Sequence, residues 1–210
     1  MEWLSRIVTG ETRKGSILGL ASLVLIVLTI ATVLRNEIWR DDVRLFSDVV
    51  AKSPHKQRPY NALIYAHMKR GQEEQAISVA KLGAQNIPAS RLSFLDTIGN
   101  LDLRLGRPAE AVEYFKSGSD EAVQFRASSD YLATSYNNLA VAYQALAKTL
   151  NGQDNTVKRL EVLRNAQQSY RKSLEVNPSN MQALDGFLNV TSRLGESAAL
   201  EQELLKKLEA

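Results

Sequence analysis

From Pro54 to Pro88 the chain reads PHKQRPYNALIYAHMKRGQEEQAISVAKLGAQNIP. Two prolines thirty-four residues apart frame this stretch. Inside it, Tyr60 and Leu63 are followed by Gly71, then by Ala76 five residues later. A spacing of that size calls for a search for internal repeats. The order recurs downstream. Leu95, Ile98 and Gly99 precede Gly106, then Ala111 five residues on, then Phe115. Tyr136, Leu139, Ala140 and Tyr143 precede Ala166, Tyr170 and Pro178. Phe187, Leu188 and Gly195 begin a fourth unit.

Each residue type has a physical reason to recur. The unit reads as two antiparallel helices joined by a tight turn. Gly71 and Gly106 stand where a first helix ends and a left-handed residue is favoured. Ala76, Ala111 and Ala166 are small where two helices cross closely. Aromatic and aliphatic residues at three- and four-residue spacing fill the seam between helices. Pro54, Pro88 and Pro178 stop the second helices. The units resemble the tetratricopeptide repeat, whose W-x2-L-G-x2-Y…A-x3-F…P pattern each matches in part.

The matches depart from the pattern in places. His67 and Asp102 occupy positions that prefer an aromatic, and Ala80 replaces the later aromatic of the first unit. The second unit has no closing proline. The third carries about fourteen extra residues around Leu150–Asn155, so both of its helices are expected to be long. The resemblance implies an all-α fold: a short solenoid of helical hairpins over 57–210, preceded by an apolar helix. Its repeats are expected at 57–90, 92–125 and 133–180, with an insertion near 147–160 and a partial unit at 181–210.

Upstream, Ser16 to Leu34 reads SILGLASLVLIVLTIATVL, with no charge and twelve Leu, Ile or Val among nineteen residues. As a helix it is about 28 Å long, close to the hydrocarbon thickness of a bilayer. Each large aliphatic favours insertion by ~0.3–0.6 kcal/mol. A transmembrane helix over 16–34 is the expectation. A cleaved signal is the alternative: Arg13 and Lys14 form a basic n-region and Thr29-Ile30-Ala31 a weak cleavage site, but the apolar core is long for a signal. A buried core helix fits less well, because the segment is apolar all round.

The flanks carry weaker signals. Residues 1–15 put Trp3, Leu4, Ile7 and Val8 on one face, which suits a short interfacial helix with Trp3 at headgroup depth; a frayed terminus is the other reading. Gly15 and Gly19 make a small-residue pair through which two spans could approach as a homodimer. Arg6, Arg13 and Lys14 before the span nearly balance Arg35, Arg40, Arg44 and Lys52 after it, so the positive-inside count leaves orientation open.

Residues 35–56 read as a half-repeat. IWRDDVRLFSDVVAKSP ends in Pro54, one period before Pro88, and Phe46 stands where a second-helix aromatic belongs. Ile38, Val43, Phe46 and Val50 give an apolar face that can cap the first hairpin. Trp39, about one turn beyond Leu34, suits an interfacial anchor, and Arg35, Arg40 and Arg44 suit the lipid boundary. A solvated face with pairing among Glu37, Asp41 and Asp42 explains the same arginines.

The Arg35-Asn36-Glu37-Ile38-Trp39 exit resembles that of bacterial multi-spanning membrane proteins whose last span passes into tetratricopeptide repeats. Eukaryotic O-mannosyltransferases share that layout. The resemblance implies repeats on the periplasmic side of a bacterial inner membrane; a cytoplasmic solenoid is the alternative. These 210 residues are expected to hold one span and not the multi-span region that would bind a lipid-linked sugar. The family's enzyme activity therefore does not carry over.

Nothing in the residues points to catalysis. The chain has 210 residues, 44% hydrophobic content, a net charge of +3 and no cysteine. Thiolate metal sites and disulfides are thereby excluded, and no basic tract of nucleic-acid type is present. His67 lies among Leu63, Ile64 and Met68 and reads as a packed, hydrogen-bonded residue. His55 reads as a loop residue beside Pro54. No metalloprotease, serine-hydrolase, nucleotide-loop or dinucleotide motif occurs. The Asp41-Asp42 side chains diverge on a helix, and Glu110 and Glu113 read as surface charge. No cofactor is expected.

Binding remains. In a helical-hairpin solenoid the first helices line a concave groove that accepts a peptide or a partner helix. The first unit would contribute Asn61, Tyr65, Met68 and Lys69. The second would contribute Asp96, Asn100, Leu103 and Arg104, and the third Asn137, Val141 and Gln144. Asparagines can hold a peptide backbone by donor and acceptor together, although the same positions suit ordinary solvated surface. Chaperone-binding repeats grip a terminal carboxylate with lysine and arginine; Asn61, Asp96 and Thr134 occupy that region here, so no such clamp is expected. The readings are three: a membrane-anchored scaffold for a protein partner, an accessory subunit or detached tail of a membrane glycosyltransferase or envelope complex, and a repeat protein secreted after signal cleavage.

Overall fold

The computed structural model describes the backbone of residues 2–39, 41–150 and 155–208, and side chains between 17 and 195 other than 35, 37, 38, 40 and 151–154. Among the described residues there is no strand. The chain divides into two units, Met1–Lys52 and Ser53–Ala210.

The first unit holds two helices, α1 over Glu2–Trp39 and α2 over Asp42–Lys52. Within α1, Ile17–Leu34 is long and apolar enough to cross a membrane, and none of it is buried. A signal sequence meets the same test of length and composition. Thr29 and Thr32 donate their hydroxyls to the carbonyls of Leu25 and Leu28, each at 2.7 Å. Both polar groups are thus satisfied within the helix, which an apolar solvent requires.

Two expectations change here. The segment over 1–15 is not a separate helix, since α1 runs on from Glu2 without a break. Nor does the next helix start at Ile38. α1 continues through Trp39, and α2 starts at Asp42 because Asp41 caps it: the Asp41 Oδ1 accepts from the Arg44 amide at 3.1 Å, and its carbonyl accepts from the Leu45 amide at 2.8 Å. An aspartate at that position satisfies amides a helix start leaves without partners. Trp39 is 61% exposed, and Arg44 is exposed. The side chains of Trp3, Arg35, Ile38 and Arg40, and the surroundings of Gly15, lie outside what the structure describes. A side chain at Gly19 would meet open space.

The second unit is a run of hairpins. α3 (Gln57–Met68) pairs with α4 (Glu73–Asn86), α5 (Arg91–Arg104) with α6 (Pro108–Gln124), and α7 (Ser129–Thr149) with α8 (Thr156–Val176). α9 (Met181–Leu208) packs on α8. A 3-10 turn, Pro88–Ser90, links α4 to α5. α7 and α8 have 21 residues each, against 14 for α4 and α5, which accommodates the extra sequence of the third unit.

The punctuation works as its chemistry requires. Gly71 and Gly106 have φ of 67° and 72°. The amide after each glycine bonds back across the helix end, Gln72 to the His67 carbonyl at 3.0 Å and Arg107 to that of Asp102 at 2.9 Å. The second hairpin has no proline after its second helix and ends α6 in the same way. Arg126 takes φ 52°, and the Ala127 amide reaches the Ala122 carbonyl at 2.9 Å. An arginine thus does the work for which glycine is preferred.

The core is a series of aromatic rings set against small residues. Tyr60, Phe94, Phe115 and Tyr170 are almost fully buried. Tyr60 and Phe94 meet edge to face at 5.9 Å. Phe94 lies on Gly83, Phe115 on Gly99 and Tyr170 on Gly186, each so close that a Cβ on the glycine would come within 3 Å of the ring. Phe115 shares a cluster with Ala111, Val112, Leu139 and Ala142. Tyr170 shares another with Ala140, Leu163, Ala166 and Val190. Alanines at the crossings let the helices approach, and the rings fill the space between them.

Candidate partner-binding groove

The first helices of the hairpins are α3, α5, α7 and α9. On α3, Asn61 and Lys69 are exposed, Tyr65 is 66% exposed and Met68 is half-buried. His67, one residue before Met68, is half-buried, with Nδ1 3.0 Å from Gln72 Oε1.

On α5 the candidate residues are largely engaged within the fold. Asp96 accepts the Tyr131 hydroxyl on Oδ2 at 2.6 Å, and its Oδ1 is buried without a partner. Burial pushes the Asp96 carboxyl above its ordinary value; the Tyr131 bond opposes this. The same contact, added to burial, raises the Tyr131 hydroxyl. Asn100 is exposed and donates to the Asp96 carbonyl at 2.8 Å. Leu103 packs against the Phe115 cluster, so its side chain serves the interior. Arg104 pairs with Glu73 of α4 at 3.1 Å. Arg107 pairs with Glu74, and Arg91 forks onto both carboxylate oxygens of Glu121 at 3.1 and 3.0 Å. These pairs lie near the surface and stitch neighbouring helices at ~0–1 kcal/mol each.

On α7 the picture differs. Val141 is 39% exposed. Gln144 is half-buried, accepts the Tyr170 hydroxyl at 2.9 Å and donates to Asn189 at 3.4 Å. Burial pushes the Tyr170 hydroxyl up to about 12. Asn137 is only 7% exposed, and its Oδ1 has no hydrogen-bond partner.

Asn137 lines a cleft of about 380 Å³ between α7 and the start of α9, with Asp130, Thr134, Asn177, Asn180 and Met181 around it. Asp130, Thr134 and Asn137 fall at i, i+4 and i+7, one face of the helix. The far wall is held rigidly. Asn180 Oδ1 accepts from the Ala183 amide at 3.2 Å, and its Nδ2 donates to Ser173 Oγ at 3.1 Å. Ser173 in turn donates to the Ala133 carbonyl at 2.7 Å. Asn177 donates to Asp130 at 3.4 Å and accepts from the Ser179 amide at 3.0 Å. The walls are thus occupied with each other, while the Asn137 oxygen faces no protein donor. A buried polar atom left this way costs ~1–3 kcal/mol.

The structure therefore gathers Asn137 with residues that periodicity did not single out. Asn177 and Asn180 belong to the N-P-S-N turn after α8, and Asp130 lies one turn before Thr134. The helix-cap character of that turn is the signal that could have found them. Among the described residues no group of three or more His, Cys, Asp or Glu is placed to hold a metal ion.

No protein-family model matches the sequence, and no curated protein matches it. Solved structures do. The chain is similar to MamA, with a TM-score of 0.52 and 15% identity over 80% of this chain and 81% of that one. It is also similar to the first TPR of Spaghetti (RPAP3) bound to an HSP90 peptide, with a TM-score of 0.47 and 18% identity over 63% and 87% of the two chains. BtubC from P. vanneervenii gives 0.40 and 14% over 81% and 86%. The MamA likeness, together with the helix pairing described above, concerns the fold alone. Ser53–Ala210 accordingly has the fold of a short tetratricopeptide-repeat solenoid.

Proposed function

We propose that this chain is a non-catalytic scaffold, held at a membrane by Ile17–Leu34, whose repeats recruit a protein partner through their concave face. The observation that carries the binding reading is Asn137, buried with an unpartnered oxygen in a polar cleft between α7 and α9. Carboxamide, hydroxyl and carboxylate groups together suit the alternating donors and acceptors of a peptide main chain. Twelve large aliphatics between Ile17 and Leu34, each 48–67% exposed, support the anchor, because water would not tolerate so broad an apolar rod.

A photo-crosslinker placed at Gln182, on the cleft rim, tests the binding reading in the full chain. A discrete crosslinked species that disappears on Asn137→Ala is the expected result. An unchanged species in that variant, or none at all, would refute it. Outward orientation of the repeats in a bacterial inner membrane rests on the resemblance of the Arg35–Trp39 exit. Protease protection on spheroplasts tests it: digestion of the repeats from outside is expected, and full protection would reverse the assignment.

A further inference from the structure

A second surface lies on the opposite side of α7 from Asn137. Tyr136, Leu139 and Tyr143 face a cleft of about 190 Å³ between α6, α7 and α8, rimmed by Lys116, Lys172 and Gln168. At 100° per residue these positions point away from Asp130, Thr134 and Asn137. A neighbouring cleft of about 420 Å³ lies between α8 and α9, lined by Arg164, Gln167, Gln168, Arg171 and Phe187. Gln168 belongs to both, so the two form one band across the exposed crest of α8.

The charged side chains lining this band are mainly basic, although, beside burial, Glu113 and Glu175 stand near enough to raise the Tyr143 and Tyr136 hydroxyls. Lys116, Lys172, Arg164 and Arg171 are all exposed. Asp120 is the one acid among the described residues lining either cleft. Glu175, one turn from Arg171, reaches it at 3.8 Å, a loose pair that a better-placed carboxylate can displace. Lys172 is held in place, its Nζ 5.3 Å from the centroid of the Tyr136 ring. An ammonium over an aromatic face is positioned rather than free to swing.

We infer that this outer face, from the Lys116–Lys172 cleft to the Arg164–Arg171 cleft, docks an acidic segment of a partner protein. Four cations match carboxylate side chains, and the arginines can take them bidentately. Arg164 and Arg171 stand two turns apart on α8, about 10 Å, which an extended segment spans with three or four residues. The carboxamides of Asn165 and Gln168 between the cations suit a peptide main chain and favour a protein over a lipid surface, while that of Gln167 donates to Thr191 at 2.8 Å. This face is separate from the Asn137 groove, and the inference does not rest on it.

The full-length chain in detergent micelles, titrated with fluorescein-labelled decaglutamate and followed by anisotropy, tests this. Saturable binding that weakens with added salt is expected. Arg171→Glu with Lys172→Glu should weaken it roughly tenfold or more, given two exposed ion pairs lost and reversed. Asn137→Ala should bind as the parent does. Lys116→Gln with Arg164→Gln is a milder second variant, expected to weaken binding severalfold. Unchanged binding in both charge variants would overturn the inference. So would equal loss on Asn137→Ala, or decalysine binding as tightly as decaglutamate.

Discussion

Gly99→Ala and Gly118→Ala make the same chemical change in one hairpin, and the structure assigns them opposite signs. A Cβ at Gly99 would come to 2.8 Å from Phe115 Cζ and 2.9 Å from both Cε atoms. Carbon atoms rest at ~3.5–4.0 Å, so the ring must move by most of an ångström. It has nowhere to go, because Phe115 is 0% exposed and packed among Ala111, Val112, Leu139 and Ala142. Overpacking of this kind costs ~1–3 kcal/mol. Alanine returns about 1 kcal/mol of helix propensity, leaving a net loss of up to about 2 kcal/mol. At Gly118 the nearest atoms to a new Cβ are Leu95 Cβ at 3.8 Å and Asp96 Oδ1 at 4.0 Å, ordinary contacts. There the propensity gain stands almost alone, and stability should rise by ~0.5–1 kcal/mol. Urea unfolding of the full chain in micelles, followed by circular dichroism, should move the midpoint down for Gly99→Ala and up for Gly118→Ala. If both shift the same way, ring-on-glycine packing is not what makes these positions differ.

Other perturbations follow from single features. Arg126→Gly relieves a left-handed arginine and should stabilise by about 1 kcal/mol, read as a higher urea midpoint. Burial raises the carboxyls of Asp96 and Asp102 above their ordinary 3.8, so the stability they contribute is full below that value and is lost as pH rises through the raised values. Asp96→Asn should therefore flatten the fall in urea midpoint from pH 3.8 towards neutrality. Ile26→Arg, at the centre of Ile17–Leu34, costs ~3 kcal/mol of insertion and should release part of the chain on alkaline carbonate washing, whereas the parent stays with the membrane.

Much of the fold was legible because it is written locally. Gly71 and Gly106 mark helix ends through their own backbone freedom, and Pro54, Pro88 and Pro178 each fall two residues after the last residue of a helix. The long third hairpin was visible as extra residues. The start of α2 was misplaced because an Asp-Asp pair was read as surface charge, although its first member is a cap. The site was less legible. Periodicity put Leu103, Arg104 and Gln144 on the groove face, yet Leu103 serves the core, and Arg104 and Gln144 have partners on other helices.

The sequence alone determined that the chain is an apolar rod followed by helical hairpins, since both depend on composition and on residues within one turn of each other. Tertiary structure decided which polar side chains are already satisfied. Asp96 and Asn137 hold the same register on equivalent first helices, but Asp96 accepts the Tyr131 hydroxyl from α7, while the Asn137 oxygen is buried with no donor. That difference depends on which side chain the next first helix brings across, Tyr131 lying thirty-five residues beyond Asp96, and a hydrogen bond over such a distance leaves no trace in local pattern.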